Sequence, residues 1–201
     1  FGSALSGRIV DHYLAIFWGE HGFNGKTTLL EIIRSILGPF VTVIPSAMLL
    51  KHRFSKSSAD AAPDILLLKG KRLAYASETG TGNELDVSKI KWLTGRDTLT
   101  GRGVHVKDFV DFTPTHSLFL LTNNKPHIPS ADDAMWKRVL LVPFEKSFVD
   151  NPKEPWERNR DPHLREKLLE EKSGILAWLI KGYLAWQKEG LNPPDIVVNS
   201  I

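Results

Sequence analysis

With 201 residues, 42% of them hydrophobic, the chain can bury one full core and fits a single domain. Its net charge of +3 permits a nucleic-acid partner without demanding one, and the lack of cysteine excludes disulfides and thiolate zinc sites. No apolar run reaches membrane-spanning length, no signal peptide is visible and no His-Glu-x-x-His pair suggests a structural metal, so a soluble protein of a reducing cytoplasm is expected.

The chain begins at Phe1 rather than Met, which suggests a domain of something longer. Residues Phe1 to Asp11 are partly apolar, either a helix beneath the first strand or the remnant of an upstream element. Tyr13 to Trp18 suits a buried strand, and Leu29, Leu30, Ile32, Ile33, Ile36 and Leu37 form a helical stripe that ends at Gly38-Pro39. Between them lies Gly19-Glu-His-Gly-Phe-Asn-Gly-Lys-Thr-Thr28, and strand, glycine-rich loop, helix is the context in which such a stretch cradles phosphate. Glycines let backbone N–H groups turn toward phosphate oxygens, and the helix N-terminus favours an anion. Gly22, Asn24, Gly25, Lys26, Thr27 and Thr28 are therefore the candidate nucleotide ligands: Lys26 reaches the β- and γ-phosphates and the Thr27 hydroxyl holds Mg²⁺. Gly19 and Gly25 are one residue farther apart than the usual pattern, so Glu20 is expected to point away and Gly22 to supply the permissive turn.

Phe40 to Ile44 reads as a strand and Lys51 to Ala62 as a solvated loop rather than a DNA-binding patch. Leu73 to Ser77, bounded by basic residues and then by a Gly-Thr-Gly loop, suits a central parallel strand ending at Glu78. At such a carboxyl end Glu78 could orient or deprotonate a water attacking the γ-phosphate and help hold Mg²⁺ through its shell; the plainer alternative is a loop glutamate. Asp86 to Leu93 has a capped helical pattern. Thr94 to Pro114 alternates like a hairpin from which Arg102, His105 and Lys107 project, either a solvated face or a grip on the phosphates of a DNA strand.

Ser117 to Thr122 is a further buried strand running into Asn123, which could hydrogen-bond a γ-phosphate or attacking water without adding negative charge. Ala131 to Met135 reads as a helical turn and Val139 to Phe144 as a strand. Arg138, remote in sequence from the glycine loop, would act there from a neighbouring subunit. Phe148 to Pro162 reads as an exposed charged connection, and His163 to Lys188 as two helical segments breaking near Ser173-Gly174, with Ile175, Leu176, Leu179, Ile180 and Tyr183 as the core stripe.

Five motifs thus stand in one order: Asn24-Gly25-Lys26-Thr27, the strand ending in Glu78, Lys91-x-Leu93-Thr94-Gly95-x-Asp97 followed by Arg102, Thr122-Asn123-x-x-Pro126, and Trp136-Lys137-Arg138 leading to Pro143-Phe144. Together they resemble the superfamily 3 helicase domain of phage and plasmid primase-helicases, a group also similar to the poxvirus primase-helicase, over about Leu5 to Pro194. The resemblance implies an α/β fold: a AAA+-like P-loop NTPase with a mainly parallel central sheet flanked by helices and a C-terminal helical segment. Residues 1–148 would form the NTPase core, and 149–201 a charged connection and helices packing on it. It further implies ATP and Mg²⁺ as ligands, single-stranded DNA threaded through a self-assembled ring, a hexamer, a primase domain in the same longer chain, and residence in the cytoplasm of a bacterial host, encoded by a phage, prophage or plasmid.

In that resemblance Lys26 and Thr27 match the Walker A lysine and hydroxyl, Glu78 the Walker B acid, Asn123 the sensor asparagine and Arg138 a finger acting in trans. Lys107 or His105 falls where the pore hairpin meets DNA. Ser77 stands where many members carry a second acid, so Mg²⁺ would rest on Thr27 and water-mediated contacts, and Lys137 replaces the first arginine of a pair. The expected reaction is ATP hydrolysis coupled to translocation on a strand. The alternative from another class is a nucleotide-gated DNA-binding or assembly module that does not unwind.

Overall fold

The computed structural model describes residues 1–51, 62–77, 80, 84–128, 133–198 and 200. Glu78, the expected catalytic acid, and most of the loop 51–62 lie outside the described residues. A 3₁₀ turn, Gly2–Ser6, precedes β1 (Leu14–Trp18), α1 (Lys26–Leu37) and β2 (Val41–Val43). There follow α2 (Pro63–Leu66), β3 (Leu73–Ser77), α3 (Val87–Leu93) and an antiparallel pair, β4 (Leu99–Gly101) and β5 (Val110–Phe112). Next come β6 (Ser117–Thr122), α4 (Asp133–Trp136) and β7 (Val139–Pro143). The chain ends in β8 (Ser147–Val149), β9 (Glu157–Asn159), α5 (Leu164–Glu170), α6 (Lys172–Glu189) and α7 (Asp195–Val198).

Five strands form one parallel sheet in the order β2-β3-β6-β1-β7. Their near-continuous apolar runs follow from burial on both faces, with successive side chains feeding opposite layers. Leu14, Ile16, Ala74, Ala76, Leu118, Leu120, Val139 and Leu141 join Ile65 of α2, Ile90 and Leu93 of α3 and Met135 of α4 in one buried cluster. Ala15, Phe17, Leu73, Tyr75, Phe119 and Leu121 face the other way, against Leu30 and Ile33 of α1 and Leu179 of α6. The result is an α/β protein with a parallel central sheet covered by helices. Among the described residues no helix is long and apolar enough to cross a membrane.

Local signals explain the helix ends. The Asp86 carboxylate accepts the Lys89 N–H at 2.9 Å and starts α3, while α1 stops at Gly38, whose φ of +55° favours glycine, before Pro39. Three expectations need correction. The break between the C-terminal helices falls at Glu171, and Gly174 lies inside α6. On α6 the inward stripe is Ile175, Leu179, Tyr183 and Trp186, whereas Leu176 and Ile180 are exposed, because the α6 surface is apolar on more than one side and only one stripe meets the sheet. Phe148 to Pro162 is more than a connection: β8 and β9 pair in parallel within it, and β8 docks on the glycine loop. The amino-terminal segment forms the 3₁₀ turn packed on α6, with the Phe1 ring stacked 5.0 Å from Phe119.

Candidate functional site

Strand β6 lies between β1 and β3, so the chain exits of all three strands share one edge of the sheet. The loop after β1 occupies that edge. Its amino end is fixed by tight packing: the Gly19 N–H donates to the Thr122 carbonyl at 3.2 Å, and a Cβ on Gly19 would sit 2.2 Å from Asn24 Nδ2. The Asn24 amide in turn donates to the His21 carbonyl at 2.7 Å, closing the loop on itself. Left-handed backbone occurs at Gly25, with φ of +81°, and at Phe23, with φ of +56°. Gly22, expected to make the permissive turn, is not the residue that adopts it, because the reversal into α1 occurs one to three positions later.

A second layer holds the loop from behind. The Ser147 hydroxyl donates to the Gly22 carbonyl at 2.7 Å, the Phe148 N–H to the Phe23 carbonyl at 2.9 Å, and the Trp156 ring stacks on His21 at 4.9 Å. Lys125 Nζ lies 4.6 Å from the centroid of the Trp18 ring, at the root of the loop. Sequence reasoning missed all of these. The Thr122-Asn123-x-x-Pro126 motif passes through Lys125, but nothing in the spacing of Ser147 or Trp156 points to the loop.

Lys26 opens α1 and is only 6% exposed. Its Nζ donates to Asn123 Oδ1 at 2.8 Å and lies 3.5 Å from the Gly19 carbonyl, and burial lowers its pKa from the ordinary lysine value. Gly25 caps α1 without a side-chain hydrogen bond, and the first turn holds no acid, so the helix start offers N–H donors and an amine to an anion. Gly22, Asn24, Lys26, Thr27, Asn123, Ser77 and Gly80 line a cavity of about 560 Å³, open between the loop and the ends of β3 and β6. Thr27 is exposed there, and Glu20, expected to turn away, does not line it. Gly25 and Thr28 line a different cavity, which adjoins the first at Phe23.

Arg138 is not brought to this cavity within one chain. Its carbonyl accepts the Leu14 N–H at 2.7 Å, which puts it at the amino end of the sheet, about 16 Å from the loop at ~3.3 Å per strand residue. Its Nη1 donates to the Ala134 carbonyl at 3.0 Å. Arg102, His105 and Lys107 lie in the long connection of the β4/β5 hairpin; His105, with φ of +61°, and Lys107 are exposed. Arg102 projects less than expected, being half-buried with its guanidinium 5.2 Å from the Phe109 ring centroid.

Residues 17–138 match DUF5906, a family of unknown function. The chain belongs to that family. This DUF5906 chain is 32% identical over 97% of its length to "Putative helicase L207/L206" of Acanthamoeba polyphaga mimivirus, spanning 21% of that protein. It is 31% identical over 78% of its length to "Putative helicase 121R" of Invertebrate iridescent virus 3, and 26% identical over 74% to "Putative primase C962R" of African swine fever virus, spanning 16% of each. Helicase and primase in the names of these viral relatives agree with the primase-helicase family that the motif order resembles. Among solved structures, the C-terminal region of NrS-1 (residues 305–718 of that protein) superposes with a TM-score of 0.61 at 16% identity, over 90% of this chain and 40% of the other. That likeness extends the parallel-sheet fold alone.

Proposed function

We propose that the DUF5906 chain is the ATP-hydrolysing helicase domain of a replication primase-helicase of the phage and plasmid type, translocating on single-stranded DNA. The observation that carries the reading is the Lys26 amine, buried at the start of α1 and held 2.8 Å from Asn123 on the neighbouring strand exit. An amine there meets β- and γ-phosphates, while the exposed Thr27 hydroxyl, with Glu78 through water, suits Mg²⁺. Bound Mg²⁺ would neutralise charge developing on the phosphates. Gly22 and Asn24, which share the cavity with Lys26, cradle the polyphosphate, with Gly25 and Thr28 at its border, Glu78 takes the proton of the attacking water, and Asn123 orients that water or the γ-phosphate. Arg138, at the opposite end of the sheet from its own chain's cavity, would act as a finger only by entering a neighbouring subunit of a ring. Arg102, His105 and Lys107 grip the DNA backbone. The names of the viral relatives support the helicase and primase context.

ATP turnover measured with and without single-stranded DNA, across protein concentration, tests this. Turnover that rises with DNA, rises more steeply than linearly with protein and is lost in Lys26→Ala, Glu78→Gln and Arg138→Ala is the expected result. Mixing inactive Lys26→Ala and Arg138→Ala chains should restore part of the activity, because a mixed pair contains one intact shared site. ATP binding through Lys26 with no turnover in any assembled state would overturn the helicase reading.

A further inference from the structure

Opposite the glycine loop, at the amino edge of the sheet, the chain gathers arginines around an exposed aromatic ring. Phe40 precedes β2 and Arg72 precedes β3; the Arg72 N–H donates to the Phe40 carbonyl at 2.8 Å, and its guanidinium lies 5.9 Å from the Phe40 ring centroid. We infer that this edge is a second contact for single-stranded nucleic acid, with phosphates on Arg72, Arg8 and Arg96 and a base on Phe40. The inference rests on the reading of the chain as one that acts on single strands, and adds a surface built on other elements than the 102–107 connection.

Two of the guanidiniums are held by the amino-terminal segment. Gly7, with φ of +62°, brings its backbone so close to Arg72 that a Cβ would collide with the guanidinium, and Arg96 Nε donates to the Ile9 carbonyl at 2.8 Å. Arg8, between these positions, is exposed, and its backbone N–H is bound to Ser6 Oγ at 3.1 Å. Positions 7 and 9 are at most about 7 Å apart, so the three arginines are anchored within about one Debye length, ~8 Å at physiological salt. Arg138 stands at the same edge but before β7, three strand spacings or about 14 Å from Arg72, and lies outside this surface.

Among the described residues none of the three is ion-paired. Along segments 1–13, 38–43, 69–72 and 94–98 the cations are Arg8, Lys69, Lys71, Arg72 and Arg96, and the acids are Asp11 and Asp97. Asp11 already accepts the Trp186 indole N–H at 2.6 Å, and Lys71 Nζ donates to the Pro39 carbonyl at 2.7 Å. The surplus is positive and its members repel one another, a strain that a bound polyanion relieves. Guanidinium forks match phosphate oxygens, and Phe40, 49% exposed beside them, offers a face on which any base can stack. An acidic protein segment would use the charges and leave the ring idle, so nucleic acid is the better fit.

Fluorescence anisotropy of a labelled oligothymidylate strand, titrated with the protein at several salt concentrations, tests this. For single strands log K falls with log salt by about 0.7 per phosphate contact. Arg8→Gln together with Arg96→Gln should weaken binding about tenfold and make the slope shallower by about 1.4. Arg8→Gln alone, which breaks no side-chain hydrogen bond among the described residues, should give half of that slope change. Phe40→Ala should weaken binding about fivefold with the slope unchanged, and Phe40→Tyr, which keeps the ring, should bind like the unmodified protein, with melting temperature followed for every variant. An unchanged slope in the arginine variants, or full binding by Phe40→Ala, overturns the proposal. So does equal displacement of the strand by poly-glutamate at matched charge, which would mark an unselective polyanion surface. If Lys107→Ala alone lowers the affinity, the amino edge is no DNA contact and the helicase reading stands. If the unmodified protein binds no strand even at low salt, the DNA-binding part of that reading falls together with this surface.

Discussion

The Lys26–Asn123 hydrogen bond makes a quantitative prediction about folding that needs no nucleotide. Lys26 is nearly buried, so its charge has lost most of its water, and its acceptors among the described residues are Asn123 Oδ1 at 2.8 Å and the longer Gly19 contact. A hydrogen bond to a charged group contributes about 1.5–3 kcal/mol. Asn123 is exposed, so water takes over part of its role once it is removed, and Asn123→Ala should cost about 1 kcal/mol, or about 2–4 °C in a domain of this size. Lys26→Met keeps the aliphatic stem and removes the desolvated charge, so it should be neutral or stabilising. In the Lys26→Met background, Asn123→Ala should then cost less than about 0.3 kcal/mol, leaving a coupling near 1 kcal/mol. Urea unfolding of the four proteins, followed by circular dichroism, measures this cycle. Equal costs of Asn123→Ala in both backgrounds would refute the argument that this bond compensates a buried charge.

His116, at the start of β6, is almost wholly buried, and its pKa is lowered to about 4, chiefly by desolvation against a weaker opposing effect from the Leu93 backbone. Below pH 6.5 the unfolded chain takes up a proton that the folded chain refuses until about pH 4, so stability is complete above 6.5 and falls through that window, by about 3 kcal/mol at its lower end. Unfolding midpoints between pH 7 and 4 check this, and His116→Phe should flatten the acid limb. Gly19→Ala places a Cβ 2.2 Å from Asn24 Nδ2 and 2.7 Å from the Phe144 carbonyl, whereas Gly22→Ala meets nothing within 4 Å. ATP binding should therefore fall in the first by about tenfold and in the second by less than about twofold, as calorimetry would show. Asp86→Ala removes the cap of α3 and should cost about 1 kcal/mol, which Asp86→Asn should largely restore in thermal melts.

The strands were legible because their signals are local and strong. Leu14 to Trp18, Leu73 to Ser77 and Ser117 to Thr122 are apolar runs bounded by polar or glycine residues, and burial on both faces admits no other reading at that length. The Asp86 cap and the Gly38-Pro39 stop were legible for the same reason. What escaped was set by tertiary contact. Nothing in Ser147 or Phe148 announces that their strand supports a loop more than a hundred residues earlier. Leu176 and Ile180 share the apolar character of Leu179, so periodicity alone could not say which stripe would meet the sheet. Lys26 and Asn123 were both legible as candidates, but their direct bond depends on β6 being inserted beside β1, an order the sequence does not print.

That insertion also accounts for the unusual glycine spacing. The register pairs Trp18 with Thr122 on one side and with Pro143 on the other, so three chains leave the sheet at one level. The next residues are then forced into contact: the Gly19 N–H meets the Thr122 carbonyl, and the Phe144 N–H meets the Trp18 carbonyl at 2.6 Å. Beyond them, β8 rises along the loop and takes the Gly22 and Phe23 carbonyls. A loop whose path depended on its own glycines would be sensitive to an added residue. Here the path is dictated by neighbours on both sides, and the extra length is taken up in the exposed arc Glu20–His21–Gly22 before Ser147 and Phe148 fix the approach to Gly25. The position of the Lys26 amine is therefore a property of the sheet register and of β8, with the glycines permitting it rather than imposing it.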